Sequence, residues 1–259
     1  MSTFLFEEII FGPVTSRRLG ASLGINLLPG DRKICNFNCI YCECGWTKKT
    51  HGHRSEYPVR EHVKDELKQR LLQMKSAGEP LDTITYAGNG EPTLHPDFPG
   101  IIDDCIELRD QIFPDISIAV LSNASRISNA NIFNALIKID QNILKIDSAF
   151  PETIKLINQT KADYNLDSII EKMKMFKGNF TLQTLFVKGS YQEVPIDNSS
   201  DKEVQAWLEI VKLLMPQTVM VYTIARDTPI QTLEKVSASR LDAIAEEVRK
   251  LGLEAAVSY

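Results

Sequence analysis

The sequence has no run of about 18 apolar residues, the length a membrane-crossing helix needs, so no membrane span is expected. Its opening, MSTFLFEEIIFGP, lacks a basic leading region, and Glu7 and Glu8 break the short apolar stretch. A signal peptide is therefore not expected, and the cytoplasm is the default location. Positive charge is not in excess: 29 Lys and Arg stand against 34 Asp and Glu, a net charge of -5. That balance gives no general attraction to nucleic acid or anionic lipid. No low-complexity linker, charge block or internal repeat divides the 259 residues, so a single domain is the simplest reading. Cysteine is scarce and odd in number, five in all, which argues against a disulfide scaffold. Yet four of the five lie between residues 35 and 44.

What the chain does have is ample core. Hydrophobic residues make up 43%, and they recur in alternating strand-like and helix-like patterns. Gly24 to Leu28 and Lys33 to Phe37 read as short strands, and Pro58 to Met74 as an amphipathic helix with Val63, Leu67, Leu71 and Met74 on one face. Strands are then expected at Thr83–Ala87, Ser117–Leu121, Ile143–Asp147, Phe180–Val187, Val219–Ile224 and Glu254–Tyr259. Helices are expected at Pro99–Ile112, Ala130–Ile139, Glu152–Ile157, Leu166–Phe176, Lys202–Leu214 and Ala238–Leu251. Repeated strand–helix units with apolar strands predict a parallel sheet covered by helices. About six units are too few for a closed eight-unit barrel and predict an open, partial (β/α)6 barrel, with a doubly wound sheet as its rival. Residues 1–30 read as an N-terminal extension packing on that barrel.

The decisive segment is Lys33-Ile-Cys-Asn-Phe-Asn-Cys-Ile-Tyr-Cys-Glu-Cys-Gly45. Cys35, Cys39 and Cys42 follow the spacing C-x3-C-x2-C, and Tyr41 precedes the third. Thiolates hold iron–sulfur clusters. Three thiolates leave the fourth iron of a 4Fe–4S cluster without a protein ligand, free to bind a cofactor. A zinc knot completed by Cys44 is the competing reading, although zinc sites usually use separated Cys pairs. Cys44 is read as a neighbouring thiol, and Cys105, flanked by Ile101, Ile102 and Leu108, as core.

On this spacing the chain resembles the radical S-adenosylmethionine (SAM) superfamily. The resemblance implies one 4Fe–4S cluster held by Cys35, Cys39 and Cys42, with SAM on the open iron. It implies reductive cleavage of SAM to a 5′-deoxyadenosyl radical, which takes hydrogen from a substrate. It also implies an electron donor such as a flavodoxin or ferredoxin. Gly88-Asn89-Gly90-Glu91-Pro-Thr93, after a strand, resembles the family's Gly-Gly-Glu-Pro loop for the SAM amino group, with Asn89 in place of a glycine. By the same resemblance Ser122 and Asn123 contact SAM, as do Tyr41 and Asp147, with Lys145 and the lumen-facing Gln183 nearby. For each of these a turn or helix cap is the competing structural reading. Gly90 and the cysteines lie on different loops, so a Gly90 substitution is expected to spare the cluster.

Two further segments, Phe11 to Ile25 and Val221 to Pro229, are similar to radical SAM proteins related to the wyosine-base synthases of tRNA modification. Those enzymes carry further cysteines for a second cluster, and Cys44 and Cys105 are too few for one. Arg17, Arg18, Arg226 and Asp227 are the substrate-side candidates, since paired arginines suit carboxylate or phosphate. Ion pairing of the N-terminal segment is their bland reading. Lys48, Lys49, His51, His53 and Arg54 form a basic loop, read either as solvated or as a docking patch. The substrate class stays open among nucleic-acid base, peptide and small metabolite. The rival functions are a non-catalytic iron–sulfur electron carrier and a zinc-stabilised binding module.

Overall fold

The computed structural model of the chain describes residues 4–16, 18–47, 56–161 and 163–259. Arg17 and the basic loop from Lys48 to Arg54 lie outside the described residues. The expected alternation is present. Strand β1 (Ile10–Ser16) and β2 (Gly20–Ile25) lead into α1 (Arg60–Ala77). Then follow β3 (Thr83–Tyr86), α2 (Phe98–Ile112), β4 (Ser117–Ser122), α3 (Ala130–Ile137) and β5 (Gln141–Lys145). Next come α4 (Pro151–Asn158), α5 (Leu166–Lys174), β6 (Thr181–Tyr191), β7 (Val194–Asp197) and α6 (Asp201–Leu214). The chain finishes with β8 (Thr218–Thr223), β9 (Leu233–Lys235), α7 (Ala238–Lys250) and β10 (Glu254–Ser258).

The main sheet runs β1-β2-β3-β4-β5-β6-β8-β10, parallel from β2 to β10, with β1 antiparallel on the outer edge of β2. Six strand–helix units follow in order, β2α1, β3α2, β4α3, β5 with α4 and α5, β6α6 and β8α7, and β10 closes the series. The two outermost strands of this order are not neighbours, so the barrel is open.

Alternation along each strand separates two faces. Leu23, Ile84, Val120, Leu144, Leu182 and Val219 pack under the helices in the large core, with Leu67, Ile102, Trp207 and Ile244. Helix α1 buries Val63, Leu67, Leu71 and Met74, and Gly78 ends it at φ +65° with its N–H on the Lys75 and Met74 carbonyls. The intervening residues face inward, where Leu19, Ala119, Ile143 and Met220 form a separate apolar layer. Lys145 and Gln183 continue this inner face toward the C-terminal ends of the strands.

The elements depart from expectation where pairing overrides local pattern. The first barrel strand begins at Gly20, within the segment read as an extension, because Ser22 to Ile25 pair with Thr83 to Tyr86. Lys33–Phe37 is not a strand. Only Ile34 bridges, to Gly90. β6 runs on to Tyr191 because β7 and β9 pair antiparallel with its far half. Neither short strand shows the length or alternation of an isolated signal, and β7 contains Pro195, a residue disfavoured inside sheets.

Candidate active site

The cysteine loop crosses the C-terminal ends of the strands, where parallel α/β folds place their ligand sites. It is fixed to the loop after β3 by a miniature ladder. Ile34 N–H donates to the Asn89 carbonyl at 2.8 Å, and Glu91 N–H to the Ile34 carbonyl at 3.1 Å. On its other side it is fixed to α4, with Asn38 and Ile40 N–H on the Asn158 and Ile157 carbonyls, each at 2.9 Å. Phe37, Ile40 and Tyr41 pack beneath it with Ile157, Leu185 and Val187.

Each of the three motif sulfurs faces N–H groups. Cys35 Sγ accepts from the Phe37 N–H at 3.4 Å and the Asn123 amide at 3.6 Å. Cys39 Sγ accepts from Lys145 Nζ at 3.3 Å and the Asn158 amide at 3.5 Å. Cys42 lies beside the Cys44 thiol and the Lys33 ammonium, which lower its pKa against the opposing effect of burial. Lys33 is itself buried and donates to the Gly45 carbonyl at 2.8 Å. Burial, then the Glu91 carboxylate and Cys39, push Cys35 up to about 12. Cys44 donates to the Gly88 carbonyl at 3.3 Å, and its own pKa is raised by the bond to Cys42 and by burial. Cys105 is buried in the helix-side core, with burial raising its pKa to about 12.

The Gly88–Glu91 loop is built differently from its sequence appearance. Asn89 is fully buried and turned away from the cysteines. Its amide donates to the Phe6 and Pro29 carbonyls at 2.8 and 2.9 Å, and its Oδ1 accepts from Phe6 N–H at 2.9 Å. Asn89 thus pins the N-terminal segment. Gly88 and Gly90 have φ of +145° and +137°, and a Cβ at Gly90 would collide with the Ile34 carbonyl. The close approach that Gly90 permits is to the cysteine loop itself. The expected independence of the two loops does not hold.

Glu91 is buried and fully engaged. Its carboxylate accepts from Ser122 Oγ at 2.8 Å, Asn123 N–H at 2.7 Å, and both the N–H (3.3 Å) and the hydroxyl (2.5 Å) of Thr93. Burial raises its pKa. It ties the glycine loop to the end of β4 and leaves the Asn123 amide to face Cys35 and the Asn36 side-chain Oδ1, the latter at 2.8 Å.

On the inner face, Lys145 and Asp147 form a buried ion pair at 2.8 Å. Asp147 also accepts from Leu185 N–H at 3.1 Å and the Asn158 amide at 2.7 Å, and the Tyr41 hydroxyl contacts both members of the pair. Burial, then Asp147 and Cys39, raise the Tyr41 pKa. Gln183 accepts from Arg18 at 3.3 Å, and the Arg18 guanidinium lies 4.7 Å from the centre of the Tyr222 ring. Arg18 enters from the N-terminal end of the strands, between β1 and β2. Arg226 and Asp227 follow the C-terminal end of β8. The structure therefore brings Arg18 in from one end of the strands and places Arg226 and Asp227 at the other. Arg226 is largely exposed and pairs with Glu43 at 2.7 Å.

Sequence reasoning missed Lys33, Asn36 and Asn158 as partners of the cysteine loop. Lys33 opens the motif and was visible as a cation two residues before the first thiol. Asn158 ends a helix and has no local signal.

This donor set fits an iron–sulfur cluster: three thiols on one loop, each met by N–H donors of the kind that stabilise cluster sulfur. Among the described residues, no three metal-ligating side chains converge on one point, as a single ion requires. A cluster anchors each thiolate to a different iron. A family profile described as the Radical SAM superfamily matches residues 33–193, more than half of the chain.

The chain belongs to the radical SAM superfamily.

The chemistry of that superfamily rests on a 4Fe–4S cluster and SAM. Among curated relatives, a protein of Brachyspira hyodysenteriae named GTPase Obg is 32% identical over 223 residues, 85% of this chain and 30% of that protein. A UPF0026 protein of Methanocaldococcus jannaschii is 35% identical over 172 residues, 66% of this chain and 50% of that protein. The chain thus spans half or less of the length of these two relatives. Among solved structures, a radical SAM methyltransferase from Sphaerobacter thermophilus superposes with a TM-score of 0.66 at 15% identity, over 92% of this chain and 66% of that one. TYW1 with a lysine-pyruvate adduct gives 0.61 at 13% identity, over 88% of this chain and 73% of that one. Streptococcus suis SuiB bound to SAM gives 0.63 at 15% identity, over 91% of this chain and 50% of that one. These likenesses establish the radical SAM fold. No helix among the described residues is long and apolar enough to cross a membrane.

Proposed function

We propose that this chain is a radical SAM enzyme in which Cys35, Cys39 and Cys42 hold the cluster and the loop beside them binds SAM. The observation that carries the reading is the Ile34–Gly90 bridge, which holds the thiol loop and the Gly88–Glu91 loop as one unit. When bound, the cluster and SAM supply a 5′-deoxyadenosyl radical that abstracts hydrogen from a substrate. The chain's own part is binding, orientation and shielding. Backbone groups of Gly88 to Gly90 offer acceptors to the methionine end of SAM. Glu91 acts from behind, holding Ser122 and Asn123 against that loop. Asn123, Tyr41 and Asp147 line the side nearest Cys35 and Cys39. Gln183 and Arg18 extend the polar lining into the lumen.

The substrate, whether base, peptide or small metabolite, enters at the C-terminal end of the barrel, where Arg226 and Asp227 lie. Arg18 faces it from the lumen, beside Gln183 and Tyr222. A flavodoxin- or ferredoxin-type donor supplies the electron. The test is anaerobic reconstitution, visible and electron paramagnetic resonance (EPR) spectroscopy, and assay of 5′-deoxyadenosine formed from SAM under dithionite. The wild type should show a 4Fe–4S spectrum and form the nucleoside, and Cys39→Ala should do neither. A cluster without SAM cleavage would favour an electron carrier. Stoichiometric zinc in place of iron would favour a binding module.

A further inference from the structure

Two of the three motif thiols touch a full positive charge, Cys42 at Lys33 and Cys39 at Lys145, and only the second cation is held by a buried carboxylate on the inner face. Lys145 Nζ lies 3.3 Å from Cys39 Sγ, on the inner face at the end of β5, and its side chain is about nine-tenths buried. A buried lysine is costly unless it is paired. Asp147 pairs it at 2.8 Å and is completely buried. The arrangement is directional. Asp147 is held by Leu185 N–H at 3.1 Å, by the Asn158 amide at 2.7 Å and by the Tyr41 hydroxyl. The ammonium stands between that carboxylate and the sulfur, so the charge nearest Cys39 is positive. Asn158 adds a neutral donor to the same sulfur at 3.5 Å. An ordinary ion pair for stability has no need of a thiol at its open end.

We propose that Lys145, oriented by Asp147, is a positioning residue that raises the reduction potential of the cluster anchored by Cys39. The inference rests on the cluster assignment proposed above. Reduction adds an electron to the cluster and increases negative charge on its sulfurs. A cation a few ångströms away, shielded from water, stabilises the reduced state more than the oxidised one. Asp147 acts with the opposite sign, because its carboxylate partly cancels the ammonium. The barrel thus contains two adjacent residues whose removal should move one physical quantity in opposite directions.

The experiment is an EPR-monitored dithionite titration of anaerobically reconstituted protein without SAM, with iron counted per chain. Lys145→Met should shift the midpoint to a more negative potential. Lys145→Arg, which keeps the charge, should stay near the wild type. Asp147→Asn should shift it to a more positive potential. A purely structural pair would leave the midpoint unmoved or shift both variants in the same direction, and either result overturns the proposal. Should Lys145→Met fail to hold four irons, Asp147→Asn and Lys145→Arg decide, because a positive shift in the first and an unmoved midpoint in the second are still required. If the wild type forms no 4Fe–4S cluster, the cluster assignment itself has failed, a result distinct from an unmoved midpoint.

Discussion

Gly90 has a φ of +137° and no room for a Cβ beside the Ile34 carbonyl. Both constraints select glycine, and the second comes from the cysteine loop. Gly90→Val should therefore lose SAM affinity and cluster content together, because the loop carrying Cys35 must shift to admit the side chain. Iron content after reconstitution and calorimetry with SAM test this. Full iron with weakened SAM binding would mean that the two loops move independently. Glu91 is a second residue whose work is internal. Its carboxylate accepts four bonds, two of them from Ser122 and Asn123. Glu91→Gln would turn an amide N–H₂ toward donors and strand at least one of them. Leaving a buried donor unmet costs about 1–3 kcal/mol. The urea midpoint of the apoprotein should fall accordingly, and an unchanged midpoint would place Glu91 outside the structural framework.

Elements hold the site by their ends. The short turn Pro92–Leu94 is capped by His95, which reaches back to the start of α1. Asp97 N–H donates to His95 Nδ1 at 3.0 Å, so Nδ1 is the acceptor and Nε2 carries the proton given to the Pro58 carbonyl at 2.8 Å. Burial lowers the His95 pKa below its ordinary value. The sign follows from linkage. Above the unfolded value of about 6.5 both states are neutral and the contribution is fully present. As pH falls below that value toward the depressed folded pKa, the unfolded chain takes up a proton that the native chain refuses, and stability declines. The urea midpoint should drop between pH 7.5 and pH 5.5, values of about one pH unit either side of the histidine midpoint. That drop should shrink in His95→Gln. An equal drop in both proteins would assign it to other groups.

At the scale of the whole molecule, the six strand–helix units bring one thiol loop to one end of one open sheet. Cys105 is buried in the helix-side core, on the far side of the sheet from the inner-face residues. Cys44 is spent on Gly88 and Cys42. Iron should therefore approach about four per chain, the content of one 4Fe–4S cluster. Cys44→Ala and Cys105→Ala should both keep it. A content near twice that value in the wild type would require a second cluster and overturn the assignment.

The alternation of apolar strands with amphipathic helices was legible in the sequence because burial on both faces of a parallel sheet leaves a continuous apolar run. The spacing of Cys35, Cys39 and Cys42 was legible because chelation by one loop is a local constraint, carried by a few consecutive residues. So was the clustering of Gly88 to Glu91 and Ser122–Asn123, since both follow strands that end on the same side. What only the tertiary structure decided is which way the side chains between these points turn. Asn89 reads like part of a ligand loop but binds Phe6 and Pro29, and Glu91 reads like a ligand acceptor but binds Ser122, Asn123 and Thr93. The partners of Cys39, Lys145 and Asn158, lie 106 and 119 residues away in sequence. Arg18 and Arg226, alike in composition, are sent to opposite ends of the strands by the antiparallel turn into β2 and the parallel exit from β8. Chelation and periodicity are local and can be read along the chain. Hydrogen-bond partners across a sheet depend on register and strand order, which exist only once the chain has folded.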